Sequence, residues 1–244
     1  MINPMELQVQ YRSDMTVELV KHSASDLDVM WAARVSTNGE RANKKADIAS
    51  DSEVFGLINF LMRERHGTPF EHSTFTFFVS APIFVWREHM RHRISSYSEE
   101  SGRYRQLNPV FYVPDENRNL QQQGKPGQYV FVPGTYQQQM HVQVRTKELS
   151  RIAYVEYQSM LRDGIAREVA RMVLPVNIYS SAYVTMNARA LMNFLSLRVK
   201  DPTSHFPSYP QREIEMVAEG YERIFADLMP VTYEAFLNND RVAP

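Results

Sequence analysis

A chain of 244 residues is long enough to bury a full core, as one large domain or two small ones. Its 27 Lys and Arg against 28 Asp and Glu leave a formal charge of −1, which argues against nucleic acid as its main partner. It contains no cysteine, which excludes a disulfide framework, thiolate metal sites and cysteine nucleophiles. The opening residues Met1 to Gln8 carry no charged-then-apolar leader pattern, and no window approaches the roughly 18 apolar residues of a membrane span. The expectation is a soluble, cytoplasmic protein with neither membrane nor nucleic-acid partner.

Residues 16–23 alternate apolar and polar side chains, as a half-buried strand does. Ser25 opens a helix with Asp28 in its first turn and Leu27, Met30, Trp31 and Val35 on one face. That helix ends in Ser36-Thr37-Asn38-Gly39, and a linker rich in Lys and Asp follows. Asp51 or Ser52 caps a second helix whose stripe is Val54, Phe55, Ile58, Leu61 and Met62, stopping near His66-Gly67. Phe75, Phe77 and Val79 alternating with Thr74, Thr76 and Phe78 predict a strand with one face well buried. Pro82 suits the first turn of a helix that runs to about Met90 and puts Arg87 and Arg91 on one face.

Residues 113–136, with Pro114, Pro126, Pro133 and three glutamines in a row, predict a long loop or hairpin insertion within one domain spanning 1–244. A helix over about 140–162 follows, then a short helix carrying Arg167 and Arg171. Ile178–Met186 reads as a strand, Ala188–Val199 as a helix, and 211–229 and 231–238 as closing amphipathic helices. Strands and helices mix without regular βαβ alternation. The fold class expected is therefore α+β, with a mixed or antiparallel sheet flanked by long helices.

The chain is organised around Trp86–Arg105. It holds five arginines and no lysine, and Arg93 and Arg103 bracket four serines and two glutamates. Guanidinium groups bind phosphate through two parallel hydrogen bonds in a fixed plane, where an ammonium is only a point charge. A run of this kind is more often a solvated surface laced with weak ion pairs. An apolar run leads straight into it, however, and that favours a site for a phosphorylated ligand.

Among the seven histidines, His89 and His92 stand three apart, but their arginine neighbours would repel a cation, so no metal site is expected. There is no Gly-x-Gly-x-x-Gly, P-loop or Gly-x-Ser-x-Gly motif. Asn187, Arg189 and Asn193 sit at a strand-to-helix junction amid apolar residues, with Arg198 beyond them. Arg171 and Arg198 interrupt apolar runs, which predicts buried guanidiniums in need of an anion.

Arg91-His92-Arg93 followed after seven residues by Ser101 resembles the signature of the flavin-dependent thymidylate synthases. The likeness continues through Ser98 to Tyr104. It includes Ala33–Ser36, His66–His72, Arg167–Arg171 with Leu174-Pro175, and Asn187–Arg198, covering roughly Ala32 to Phe236. The resemblance implies a homotetramer with active sites shared between subunits, binding FAD, dUMP, NADPH and methylenetetrahydrofolate and forming dTMP.

By position in that family, Arg91, His92 and Arg93 contact FAD together with Thr68, Glu99, Asn187, Ala188, Arg189 and Asn193. Ser36 and His66 lie near flavin or folate. The dUMP phosphate and sugar fall to Glu88, His89, Met90 and Arg91, to Glu99, Glu100, Ser101, Gly102 and Arg103, and to Arg171. Arg198 faces the pyrimidine as the catalytic residue. A guanidinium at the uracil edge favours the N3-deprotonated ring, and reducing equivalents must come from a cofactor where no cysteine is present. Ser101 is read as a binding residue, since no histidine–carboxylate pair is evident to activate it.

Two other readings rank below this one. A nucleotide- or RNA-binding module built on the Arg/Tyr segment leaves Asn187–Arg198 unexplained, and its binding would weaken steeply with salt. A metal hydrolase using His89 and His92 would lose activity to a chelator.

Overall fold

Several helices of this chain start where a side chain satisfies orphan backbone groups at the helix end. The computed structural model describes residues 8–39, 49–126 and 129–244. Helix α1 (Asp26–Asn38) starts where the Ser25 hydroxyl accepts the Asp28 N–H at 3.1 Å, and it ends at Gly39, whose φ of +52° suits glycine. Helix α2 (Asp51–Arg63) is capped one residue earlier than expected. Ser50 precedes it, with its own N–H donating to the Glu53 carboxylate at 3.0 Å. The charged linker between these helices falls on residues 40–48, outside the described residues.

The described chain forms two compact units. The first comprises the described part of Met1–Met15, Ser80–His89 and Glu99–Ala182; the second comprises Thr16–Val79, Met90–Ser98 and Tyr183–Pro244. The main sheet has the order β2-β3-β8-β4, built from β2 (Thr16–Ser23), β3 (Thr74–Pro82), β8 (Tyr179–Asn187) and β4 (Ser96–Glu99). Thr76 of β3 meets Thr185 of β8, hydroxyl to hydroxyl, at 2.9 Å. β3 buries the face of Phe75, Phe77, Val79 and Ala81 fully, as its alternation predicts, and leaves Thr74, Phe78 and Ser80 of the other face half-buried. Pro82 closes the strand, and helix α3 (Ile83–His89) begins at the next residue. Because α3 ends at His89, Arg91 lies outside it and does not share a helix face with Arg87.

In the first unit, β1 (Gln10–Arg12) and β5 (Val110–Tyr112) pair in parallel, and β6 (Gln121–Gln123) pairs with β7 (Val130–Val132) antiparallel. Neither pair follows from apolar periodicity, since each strand is only three residues long. Helix α4 (Tyr136–Arg162) starts four residues before the expected position. There Thr135 and Gln138 form a reciprocal capping box, Gln138 N–H to Thr135 Oγ1 at 3.2 Å and Thr135 N–H to Gln138 Oε1 at 2.8 Å. Its Tyr154 and Tyr157 pack with Leu107, Phe111, Ala170 and Ile178 in a buried core. Helix α5 (Arg167–Ala170) passes into a 3-10 turn at Arg171–Val173.

In the second unit, α6 (Ala188–Arg198), α7 (Arg212–Leu228) and α8 (Pro230–Asn238) cover an aromatic core. The Phe77 ring lies 4.4 Å from that of Tyr221, tilted by 43°, and Phe75 meets Phe225 edge-on at 6.1 Å. Phe75, Phe77, Phe194, Tyr221 and Phe225 are all fully buried; each such side chain contributes about 1.5–3 kcal/mol from apolar burial. The α+β class expected from the sequence is the class observed. Among the described residues no helix is long and apolar enough to cross a membrane.

Candidate active site

The second unit carries most of the residues that the resemblance assigns to the cofactor. Asn187 ends β8 and caps α6, its Oδ1 accepting the Ala190 N–H at 2.8 Å. The Ala188 N–H in turn donates to the Ser73 carbonyl at 2.9 Å. Arg189, one residue on, donates from Nη1 to the Glu71 carboxylate at 2.6 Å and from Nε to the Pro244 carbonyl at 2.6 Å. Asn193 turns its amide back onto the Arg189 carbonyl at 3.0 Å. Thr68 opens the 3-10 turn Thr68–Glu71 that presents Glu71, and the preceding Gly67 lies directly against the Arg189 guanidinium.

His92 is held on three sides within this unit. Its ring lies 4.4 Å from that of Phe194, its carbonyl accepts the Tyr97 hydroxyl at 3.0 Å, and its Nε2 accepts the Nε–H of Arg198 at 3.1 Å. Burial, together with the adjacent Arg198 charge, pulls the imidazole pKa down to about 4. The ring is therefore neutral near pH 7, and a neutral ring accepting at Nε2 carries its proton on Nδ1. Arg91, Arg93 and Met90 are exposed beside it. Ser36 and His66 occupy other elements: the Ser36 hydroxyl donates to the Ala33 carbonyl of α1 at 2.9 Å, and His66 stacks 5.9 Å from Phe60.

The first unit carries most of the residues assigned to dUMP. Glu99 and Glu100 are both tied to β8: Glu99 Oε1 accepts the Ser180 hydroxyl at 2.6 Å, and Glu100 Oε1 accepts the Ser181 N–H at 3.0 Å. Ser101 then turns the chain. Its carbonyl accepts the Tyr104 N–H at 3.0 Å, and its hydroxyl accepts the Arg103 N–H at 3.3 Å. Gly102 is buried at this turn, where an added Cβ would stand 3.2 Å from Arg171 Cδ and from Leu107 Cδ1. Absence of a side chain is thus what lets the turn approach Arg171. Arg103 pairs with Glu168 of α5 at 2.9 Å, both side chains more than half exposed. The result is a tight turn against the Arg171 stem, with the Arg103 guanidinium ion-paired to Glu168.

The burial expected of two arginines needs correcting. Arg171 is exposed and Arg198 half-buried, so neither is the buried guanidinium predicted from the apolar runs around them. Around Arg171 the apolar neighbours Val169, Met172 and Val173 are exposed with it, whereas α6 turns Phe194 and Leu195 into the core and leaves Arg198 at its end. His89 is 1% exposed, its ring 5.3 Å from that of Trp86, so its side chain belongs to the core beneath α3. Among the described residues, no three or more His, Cys, Asp or Glu side chains are arranged to hold a metal ion.

Sequence reasoning singled out neither Gly67 and Glu71 as partners of Arg189 nor Ser180 and Ser181 as partners of the glutamates. The first two lie within the quoted His66–His72 segment, so a signal was present. The two serines sit in an ordinary strand and carry none.

The fold defines an α+β protein, with an arginine fixed by a carboxylate and a backbone carbonyl and a neutral histidine accepting from Arg198 in the second unit, and a serine–glycine turn in the first. A family model for the thymidylate synthase complementing protein matches residues 18–231. A flavin-dependent thymidylate synthase of Streptomyces avermitilis is 59% identical over 241 residues, 98% of this chain and 97% of the relative. One from Tropheryma whipplei is 59% identical over 234 residues (96% and 97%), and one from Thermotoga neapolitana 42% over 221 residues (91% and 90%). The solved structure of the UMP/dUMP methylase PolB from Streptomyces cacaoi bound with 5-Br dUMP is 54% identical. It superposes with a TM-score of 0.92 over 97% of this chain and 100% of that one. The chain belongs to the flavin-dependent thymidylate synthase family.

Proposed function

We propose that this protein converts dUMP to dTMP, with methylenetetrahydrofolate as one-carbon donor and NADPH supplying reducing equivalents through bound FAD. The observation that carries this reading is the Arg198–His92 pair at 3.1 Å in a chain without cysteine. A cysteine-free chain cannot open the uracil ring to substitution through a thiolate. A guanidinium at the pyrimidine edge instead stabilises the N3-deprotonated ring and raises electron density at C5. Arg198 has that role here. Ser101, Gly102, Arg103 and Arg171 hold the phosphate, and the Ser180 and Ser181 contacts fix Glu99 and Glu100 where a ribose hydroxyl can be met.

The donor chemistry of the second unit fits a flavin dinucleotide. Arg91 and Arg93 expose guanidiniums, which a pyrophosphate takes bidentately, and the Gly67–Arg189–Glu71 cluster fixes a third. The amides of Asn187 and Asn193 bond to their own helix, so their part in holding FAD is to set the entry of α6. Bound flavin supplies the hydride that a thiolate-free route needs.

Exposed Val169, Met172, Val173 and Val176 around Arg171 support a homotetramer in which a second subunit covers this strip and shares the site. On this reading residues 1–244 act as one catalytic domain, 113–136 form an insertion in it, and the enzyme is cytoplasmic.

Release of tritium from [5-3H]dUMP with FAD, NADPH and methylenetetrahydrofolate present tests the reaction. Release that requires both NADPH and the folate is expected. A protein that binds FAD yet releases no tritium would leave only the family fold.

A further inference from the structure

The histidine in the Arg91-His92-Arg93 motif bonds to other parts of the protein. Its Nε2 takes the Arg198 Nε–H at 3.1 Å, and its carbonyl takes the Tyr97 hydroxyl at 3.0 Å. Its ring lies 4.4 Å from Phe194, which is on the same helix as Arg198 and four residues before it. Residues four apart on a helix share a face. One face of α6 thus offers the ring both an aromatic surface and a hydrogen-bond donor. We propose that His92 is the positioning residue of Arg198: a neutral imidazole clamped on Phe194 that takes the guanidinium Nε–H and so fixes the plane in which the guanidinium meets the pyrimidine. This rests on the reading of Arg198 given above and adds to it the group that aims it.

The chemistry is specific to a neutral ring. An imidazolium has two donors and no acceptor, and it would repel Arg198. Lowering of the His92 pKa by burial and by that same charge keeps the ring an acceptor through the physiological range. A guanidinium is planar, so a bond at Nε determines the direction of its two terminal amino groups. With Nε–H given to His92, a ligand is met through those terminal groups. Side-chain rotation that would swing them away breaks that bond.

A double-mutant cycle on kcat separates this from a simple cofactor contact. His92→Phe keeps an aromatic ring on Phe194 but has no acceptor, whereas His92→Gln restores an acceptor without the ring. His92→Phe is expected to lower kcat about 10- to 100-fold, the loss of one charge-assisted hydrogen bond. Flavin affinity by titration should move by no more than about threefold, and His92→Gln should recover about tenfold of the loss. In an Arg198→Lys background, which lacks the Nε–H, His92→Phe should cost less than about threefold further.

Equal losses in both backgrounds, or a loss expressed wholly in flavin affinity, would overturn the proposal. The 15N shifts of His92 in the wild-type protein provide a test that no variant has to survive. A proton on Nδ1 with Nε2 accepting, disturbed by Arg198→Lys, is expected; a proton on Nε2 would refute the clamp. Absence of C5 tritium release in the wild type would instead strike the reaction itself and leave the tautomer result standing.

Discussion

Arg189 and Glu71 meet at 2.6 Å, and the Arg189 Nε also donates to the Pro244 carbonyl at 2.6 Å. Both side chains of the pair are 41% exposed, so the ion pair itself contributes less than about 1 kcal/mol. Its value lies in geometry, and Gly67 completes it. A Cβ at Gly67 would reach Arg189 Nε, stand 2.5 Å from Cζ and lie 2.9 Å from the Pro244 carbonyl. Gly67→Ala is therefore expected to displace the guanidinium, costing about 1–3 kcal/mol by overpacking and weakening flavin binding. Thermal unfolding together with flavin titration checks both. Unchanged flavin affinity would remove the cluster from the cofactor site.

Arg198 ends α6, where a cation gains only about 0.3–1 kcal/mol from the helix dipole. Arg198→Ala should accordingly leave the fold within about 1 kcal/mol of wild type while lowering turnover by at least about 100-fold. Steady-state assays alongside urea denaturation measure the two effects. A variant of normal activity would take Arg198 out of the mechanism.

His92 also makes acid stability measurable. In the unfolded chain it gains a proton as the pH falls through the usual 6.5, but in the folded protein only near 4. Between those values the unfolded state binds more protons, so stability falls as the pH falls. The wild-type urea midpoint should drop more from pH 7 to pH 5 than that of His92→Gln. Equal drops would show that the ring titrates normally in the fold.

Gly220 of α7 faces Val17 of β2, and a Cβ there would come within 2.8 Å of Val17 Cβ and 2.9 Å of its Cγ2. Alanine returns about 1 kcal/mol of helix propensity, but overpacking against a β-branched stem costs about 1–3 kcal/mol. Gly220→Ala should be destabilised by up to about 2 kcal/mol, read from urea unfolding. A gain in stability would show that α7 and β2 separate at little cost.

Arg241 is 4% exposed, bonded through Nη1 to Glu222 at 2.7 Å with Asp201 at 3.6 Å, and its guanidinium lies over the Phe236 ring at 5.2 Å. Arg241→Ala would leave the Glu222 carboxylate, 15% exposed, with the Tyr233 hydroxyl but without this partner; breaking a fully buried pair costs about 3–5 kcal/mol. The lower end is expected, because Arg241 Nε and Nη2 find no hydrogen-bond partner among the described residues and already carry a desolvation cost. Chemical denaturation decides it, and a loss below about 1 kcal/mol would mean that water reaches the pair.

The sequence by itself determined the elements whose ends are local chemistry. Ser25 and Asn187 cap helices in their own neighbourhood, and the Phe75–Phe77–Val79 alternation needs only the pleat of a strand. It also determined the family, because spaced blocks of arginine, histidine and serine in one order are specific whatever the fold around them. Tertiary structure decided the rest. The pairing of β1 with β5 joins segments about a hundred residues apart by backbone bonds alone, so no side-chain pattern announces it. Arg171 and Arg198 sit in apolar runs, yet the run around Arg171 is exposed with it and α6 turns Phe194 and Leu195 rather than Arg198 into the core; period alone does not say which face is covered. The Glu71–Arg189 and His92–Arg198 contacts join residues 118 and 106 positions apart. A guanidinium has the same composition whether it meets water, a carboxylate or an imidazole; only the packed chain chooses its partner.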